Sequence, residues 1–177
     1  MTATDTPVRP AYVDRLEAVV GAAAPRLAAI SDEASARRPA PGKWSRREVV
    51  GHLVDSASNN HQRFVRAREQ DDLVFAGYAQ EAWVEAQQYR AAPWGELVEL
   101  WALYNRHLAR VMAATPAEVR ERRHARHNLH QVAWRTVPAD RPATLDYFMA
   151  DYVAHLEHHL RQVLGDDWAR GAGLAAG

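Results

Sequence analysis

The stretch Thr144-Leu145-Asp146-Tyr147-Phe148-Met149-Ala150-Asp151-Tyr152-Val153-Ala154-His155-Leu156-Glu157-His158-His159-Leu160-Arg161-Gln162-Val163-Leu164-Gly165 decides how this chain is read. Its apolar residues Leu145, Phe148, Met149, Tyr152, Leu156, Leu160, Val163 and Leu164 recur at helical steps, the pattern of an amphipathic α-helix. Thr144 is a suitable N-cap, and Gly165 is a natural stop. His155 and His159, four residues apart, share one face at roughly 6 Å, close enough for both imidazoles to hold one metal ion. Each lies seven residues after an aromatic of the buried stripe, Phe148 or Tyr152, so both point toward the packed side. His158 is turned about 100° from His159 and is the weaker candidate. Glu157 stands about 200° round the helix from His155, and no His-Glu-x-x-His pattern is present, which disfavours a peptidase.

Upstream, Ser45-Arg46-Arg47-Glu48 reads as a capping box, with hydroxyl and carboxylate each serving an otherwise orphan backbone amide. It predicts a helix from Ser45 to about Arg68, with Val49, Val50, Leu53, Ala57, Phe64 and Val65 buried and Trp44 stapled onto Val49. An earlier helix follows from Tyr12, Val13, Leu16, Val19, Val20, Leu27 and Ile30, with Pro25 expected to kink or tighten it. Arg38-Pro39-Ala40-Pro41-Gly42 is a turn cluster. Residues 69–92 are less regular, with a short helix expected around Gln80 to Tyr89. Pro93 opens a third long helix carrying Leu97, Leu100, Trp101, Tyr104, Leu108, Val111 and Met112. Thr115-Pro116-Ala117-Glu118 repeats the capping-box pattern and predicts a short further piece, and Thr136 to Pro142 is loop.

Four long helices and no convincing strand pattern predict an all-α bundle of about four helices, one domain over residues 1–170, with a disordered tail at 171–177. The long connection before the last helix leaves room for a crossover. Twenty-two basic residues balance twenty-two acidic ones, so the broad positive field of a nucleic-acid binder is missing. There is no cysteine, which removes disulfides, a thiolate nucleophile and Cys-type metal sites, and leaves histidine and carboxylate as the strong ligands. Met1 to Arg9 lacks a signal-peptide core, and no stretch approaches the roughly 20 apolar residues of a membrane span, so a cytoplasmic protein without a membrane partner is expected.

His52 lies at the margin of its helix's apolar face, followed along the same side by Ser56, Asn59 and Arg63. Buried polar groups are costly unless paired, so this row suggests a wet or liganded cleft; a solvent-facing row explains it equally well. A lone helical histidine is more often a satisfied or exposed residue than a ligand. His124, His127 and His130, at spacing three beside Arg120, Arg122 and Arg123, form a rival cluster, for which a solvated basic segment is the plainer reading.

Two motifs together carry a family likeness. Gly42-Lys43-Trp44-Ser45 followed by Glu48-Val49-Val50-Gly51-His52-Leu53-Val54-Asp55, and the terminal Asp151 to Gln162, resemble the DinB/YfiT-like superfamily of DNA-damage-inducible proteins over nearly the whole chain in helix order. The resemblance implies a four-helix bundle, a three-histidine divalent metal site at His52, His155 and His159, and a homodimer. It also implies an activity: some relatives resemble transferases that join a low-molecular-weight thiol to an electrophile. Three neutral imidazoles leave a metal's charge uncompensated, so a bound thiol or water is acidified.

The leading expectation is therefore a thiol S-transferase acting on a small-molecule substrate, with zinc or nickel as cofactor. Asn59 and Arg63 are expected to meet an anionic substrate, and Asp55 or Asp151 to orient the ligand imidazoles. A metal-dependent hydrolase and a non-catalytic, stress-linked metal-binding module are the alternatives. Trp83, Trp94 and Trp134 are candidates for a dimer interface, a core or a pocket lid.

Overall fold

A computed structural model describes residues 9–169 and Leu174. The expected tail at 171–177 falls outside these, apart from Leu174, which is buried and donates its amide to Ala169 O. Ten helical segments follow one another: α1 (Ala11–Ala28), α2 (Asp32–Ala36), α3 (Arg46–Arg66), α4 (Gln80–Ala86), a 3-10 turn (Tyr89–Ala91), α5 (Trp94–Ala113), α6 (Ala117–Arg120), α7 (Leu129–Val132), α8 (Leu145–Leu164) and a last 3-10 turn (Asp166–Trp168). Among the described residues there is no strand, only the isolated bridges Leu73 to His127 and His124 to Ala143.

The four long helices α1, α3, α5 and α8 form the bundle. Packing is heaviest between α3 and α5 and between α1 and α5, while α8 closes the ring against both α1 and α3. Helices consecutive in the chain, α1 with α3 and α5 with α8, therefore stand on diagonals. Contacts along their lengths give the directions. Leu27 O, near the end of α1, accepts Trp94 Nε1 at the start of α5 (2.9 Å), so these two are antiparallel. Tyr12, at the start of α1, donates to Asp146 at the start of α8 (3.0 Å), so these two are parallel. Arg46 at the start of α3 donates to Val163 O at the end of α8 (3.2 Å), and Phe64 near its end meets Phe148 near the start of α8 (ring centroids 5.7 Å). The bundle thus runs up, down, down, up: the connection from α3 to α5 is a crossover along its length, while the one from α5 to α8 joins two ends at the same end of the bundle.

The start of α3 follows the sequence closely. Ser45 Oγ accepts the Glu48 amide (3.2 Å) and Glu48 Oε2 accepts the Ser45 amide (2.7 Å), which completes the capping box. The buried Arg47 ties this turn to its surroundings, donating to Ser35 Oγ (3.0 Å), Asp32 O (2.8 Å) and Arg90 O (3.3 Å). Thr144 caps α8 by accepting the Tyr147 amide (3.1 Å), and Gly165 ends it at φ 86°, a region that favours glycine. α1 runs through Pro25 to Ala28.

One expected cap is absent. Thr115 Oγ1 donates back to Val111 O (2.9 Å), leaving Pro116 as the N-cap of α6 without a side-chain bond. A threonine just past the end of a helix can satisfy the helix behind it as readily as the one ahead.

Gly51 marks a close approach. A Cβ there would lie 2.2 Å from Cγ of Tyr89, so the tyrosine ring rests directly on the α3 backbone. Its hydroxyl donates to Asp55 Oδ1 (2.7 Å), fixing the end of the α3 to α5 crossover one turn from His52.

Candidate metal centre

His52, from the second turn of α3, meets His155 and His159, from the last turns of α8, because the two helices are antiparallel. His155 Nε2 lies 3.0 Å from His159 Nε2 and 3.5 Å from His52 Nε2, and one ligand atom from each of the three falls within 4.8 Å of the others. Four-coordinate zinc, with Zn–N bonds of ~2.0–2.1 Å, holds neighbouring nitrogens ~3.3 Å apart, so the convergence has the right size for a single ion. A neutral imidazole has only one N–H, and three ring nitrogens facing a common point satisfy one another poorly; a cation accepts all three lone pairs. The three residues can hold one divalent ion.

Electrostatics keeps the three imidazoles in the form a metal needs. Burial and the nearby His159 push His52 down to about 4. Burial, followed by His159, His52 and His158, pushes His155 down to about 2. Burial also lowers His159, against a raising hydrogen bond from Gln162. All three are neutral at pH 7, with lone pairs available. Gln162 Oε1 sits 2.9 Å from His159 Nδ1 and fixes that ring's orientation, whereas the buried Nδ1 of His52 has no hydrogen-bond partner.

Two tryptophans flank the group. The ring of Trp44 lies 5.3 Å from that of His52, and Trp134 lies 5.2 Å from His158 and 6.3 Å from His155. His158 therefore stacks against the rim rather than joining the three. The sequence motif did not single out Trp134 for this place; it arrives from the loop after α7.

Neither carboxylate expected to orient a ligand imidazole touches one. Asp55 Oδ1 accepts from Tyr89 and Gln87, which commits it to the crossover. Asp151 takes the backbone amides of Trp134 (2.8 Å) and Arg135 (2.9 Å) on its two oxygens and so holds the loop that carries Trp134. Burial raises both carboxyls, opposed by these hydrogen bonds.

Two clefts open on different members of the group. One, of about 300 Å³, runs from His155 past Ser56, Asn60 and Arg63 beneath Tyr78 and Trp134. The other, of about 680 Å³, reaches His159 between Trp44, Lys43, Arg46 and Gln162. Asn60, not Asn59, lines the first. On an ideal helix Asn59 stands about 20° from His52 on one side, while Ser56 and Asn60 stand about 40° and 80° away on the other. The cleft lies on the Ser56 flank, and Asn59 turns back to donate to Asp55 O (2.9 Å). Arg63 is in the wall of this cleft. His124, His127 and His130 do not converge: His124 Nδ1 bonds Asp71 O (3.1 Å), His127 Nε2 bonds Arg141 O (2.7 Å), and His130 is exposed.

The family model described as the DinB superfamily matches residues 15–163. The chain belongs to the DinB superfamily. Two similar proteins are one of Bacillus subtilis (strain 168) named "Putative metal-dependent hydrolase YfiT", 28% identical over 69% of this chain, and one of Bacillus mycoides (strain KBAB4), also named a putative metal-dependent hydrolase, 31% identical over 44% of it. The matches span 63% and 45% of those relatives' lengths, less than two thirds of either. The solved structure of YfiT from Bacillus subtilis, described as having an unusual four-helix bundle topology, superposes with a TM-score of 0.69 over 93% of this chain and 87% of that one at 19% identity, which establishes a shared fold. No helix among the described residues is long and apolar enough to cross a membrane.

Proposed function

We propose that this chain is a metal-dependent enzyme acting on a small molecule, and that its reaction is transfer of a low-molecular-weight thiol to an electrophile. The observation that carries the reading is the pair of clefts meeting at one histidine group, His155 on one side and His159 on the other. Two approaches to a single centre suit two substrates. His52, His155 and His159 are the proposed ligands of zinc or nickel, and such an ion supplies positive charge that acidifies a thiol or water bound to it. Trp44 and Trp134 exclude solvent from the rings they cover. The cosubstrate would supply the sulfur that a chain without cysteine cannot.

Hydrolysis is the second reading, favoured by the names of the two relatives. It needs a carboxylate base: the Asp55 oxygen facing Tyr89 and both Asp151 oxygens are already engaged, and the acid that shares a cleft with a histidine of the group is Glu81, in the wall of the cleft that reaches His159.

The test incubates metal-loaded protein with a panel of thiols and a reactive electrophile, followed by mass spectrometry, alongside ester, amide and lactone substrates. Thiol conjugation lost in His155→Ala supports transfer. Hydrolysis lost in the same variant replaces it with the second reading. Metal binding that raises the melting temperature with no turnover of either kind leaves a non-catalytic module.

A further inference from the structure

Arg63 is an unusual wall for the smaller cleft. It is 7% exposed, yet no carboxylate among the described residues lies within ion-pairing distance of it. Its partners are neutral: Nη2 donates to Ala76 O (2.8 Å), Nη1 to Asn60 Oδ1 (3.4 Å), and the guanidinium lies 6.0 Å from the centre of the Phe148 ring. Every other buried arginine among the described residues has an acidic partner, Arg47 with Asp32 and Arg120 with Asp146. The one acid lining the same cleft, Asp151, spends both oxygens on backbone amides. Burial accordingly works against the guanidinium's charged form. A buried cation left with neutral partners is costly unless something else brings a negative charge.

We propose that Arg63 binds the carboxylate of a small elongated ligand that enters this cleft, with Asn60 beside it and the ligand's other end at the histidine group. The planar fork of arginine matches a carboxylate with two parallel hydrogen bonds. The length follows from α8: Phe148, under the guanidinium, and His155 are seven residues apart, about 10 Å along a helix. This spacing rests on the metal-dependent reading above; the binding of the carboxylate does not.

The experiment measures affinity by calorimetry with four probes: octanoate and octanol on metal-free protein, and ω-mercaptooctanoate and ω-mercaptooctanol on zinc-loaded protein. In each pair the acid is expected to bind about tenfold more tightly than the alcohol, a difference that vanishes in Arg63→Met and survives in part in Arg63→Lys. Equal affinity of acid and alcohol in both pairs overturns the proposal, and shows that Arg63 only ties Ala76 to α3. Should Arg63→Met not fold, the wild-type comparison and Arg63→Lys decide. A preference for the acid without any gain from zinc for the thiol probes upholds Arg63 while removing the metal-dependent reading.

Discussion

Asp151 holds Trp134 in place from the inside. Its side chain leaves α8 one turn before His155 and accepts the Trp134 amide at 2.8 Å and the Arg135 amide at 2.9 Å, which sets the indole against His158 and His155. The loop after α7 is thereby fastened to the helix that carries two of the three histidines.

Asp151→Asn removes the charge and leaves one oxygen for two amides. It is expected to destabilise the protein by about 1–3 kcal/mol, since one buried donor loses its acceptor. Chemical denaturation measures the loss, and faster hydrogen exchange at the Trp134 and Arg135 amides locates it. Unchanged exchange there would show that the loop is held by something else.

The histidine group predicts a pattern across four substitutions. His52→Ala, His155→Ala and His159→Ala should each abolish stoichiometric metal in protein purified without a histidine tag, whereas His158→Ala should retain it, as read by elemental analysis. For wild type, free metal at a thousand times its dissociation constant should raise stability by about 4 kcal/mol. Retention of metal by His52→Ala would place the ion elsewhere.

Acid should weaken the metal-free fold. Burial lowers His52 to about 4 and His155 to about 2, while the unfolded chain titrates near 6.5, so between those values the unfolded state binds more protons. Stability contributed by the neutral rings is therefore whole above about pH 6.5 and falls as the pH drops through that value toward 4. Denaturant midpoints across this range test the sign. The slope should be reduced in His52→Gln, which has no ring to protonate.

Gly51→Ala puts a methyl group into the ring of Tyr89 and should cost about 1–3 kcal/mol through overpacking. Because the obstacle is a single side chain, the same substitution in a Tyr89→Ala background should cost much less. A double-mutant cycle reads this directly, and additive effects would deny the contact.

The long helices were legible because each buries one stripe, and a stripe repeated over about twenty residues leaves an unmistakable period. The starts of α3 and α8 were legible because Ser45 and Thr144 bind backbone amides within their own turn. The short helices α2 and α7 were not, since five and four residues are too few to show a period. The same holds for side chains whose roles come from distant partners. Trp94 is a core residue, bonded to Leu27 O, rather than an interface candidate, and Asp55 answers to Tyr89 rather than to a histidine. The choice of Asn60 over Asn59 depended on which flank of α3 the crossover covers, a matter decided by Gly51 and Tyr89 rather than by spacing along α3.

The antiparallel pairing of α3 and α8 gives the histidine group a place in the order of folding. His52 and His155 are separated by 103 positions, so more than half of the chain must be looped back before the second helix presents its donors beside the first. An ion cannot gather all three until that closure is complete. Metal added to the folding chain should slow unfolding and leave the early rate of collapse unchanged, acting as a latch on the finished bundle rather than as a nucleus for it.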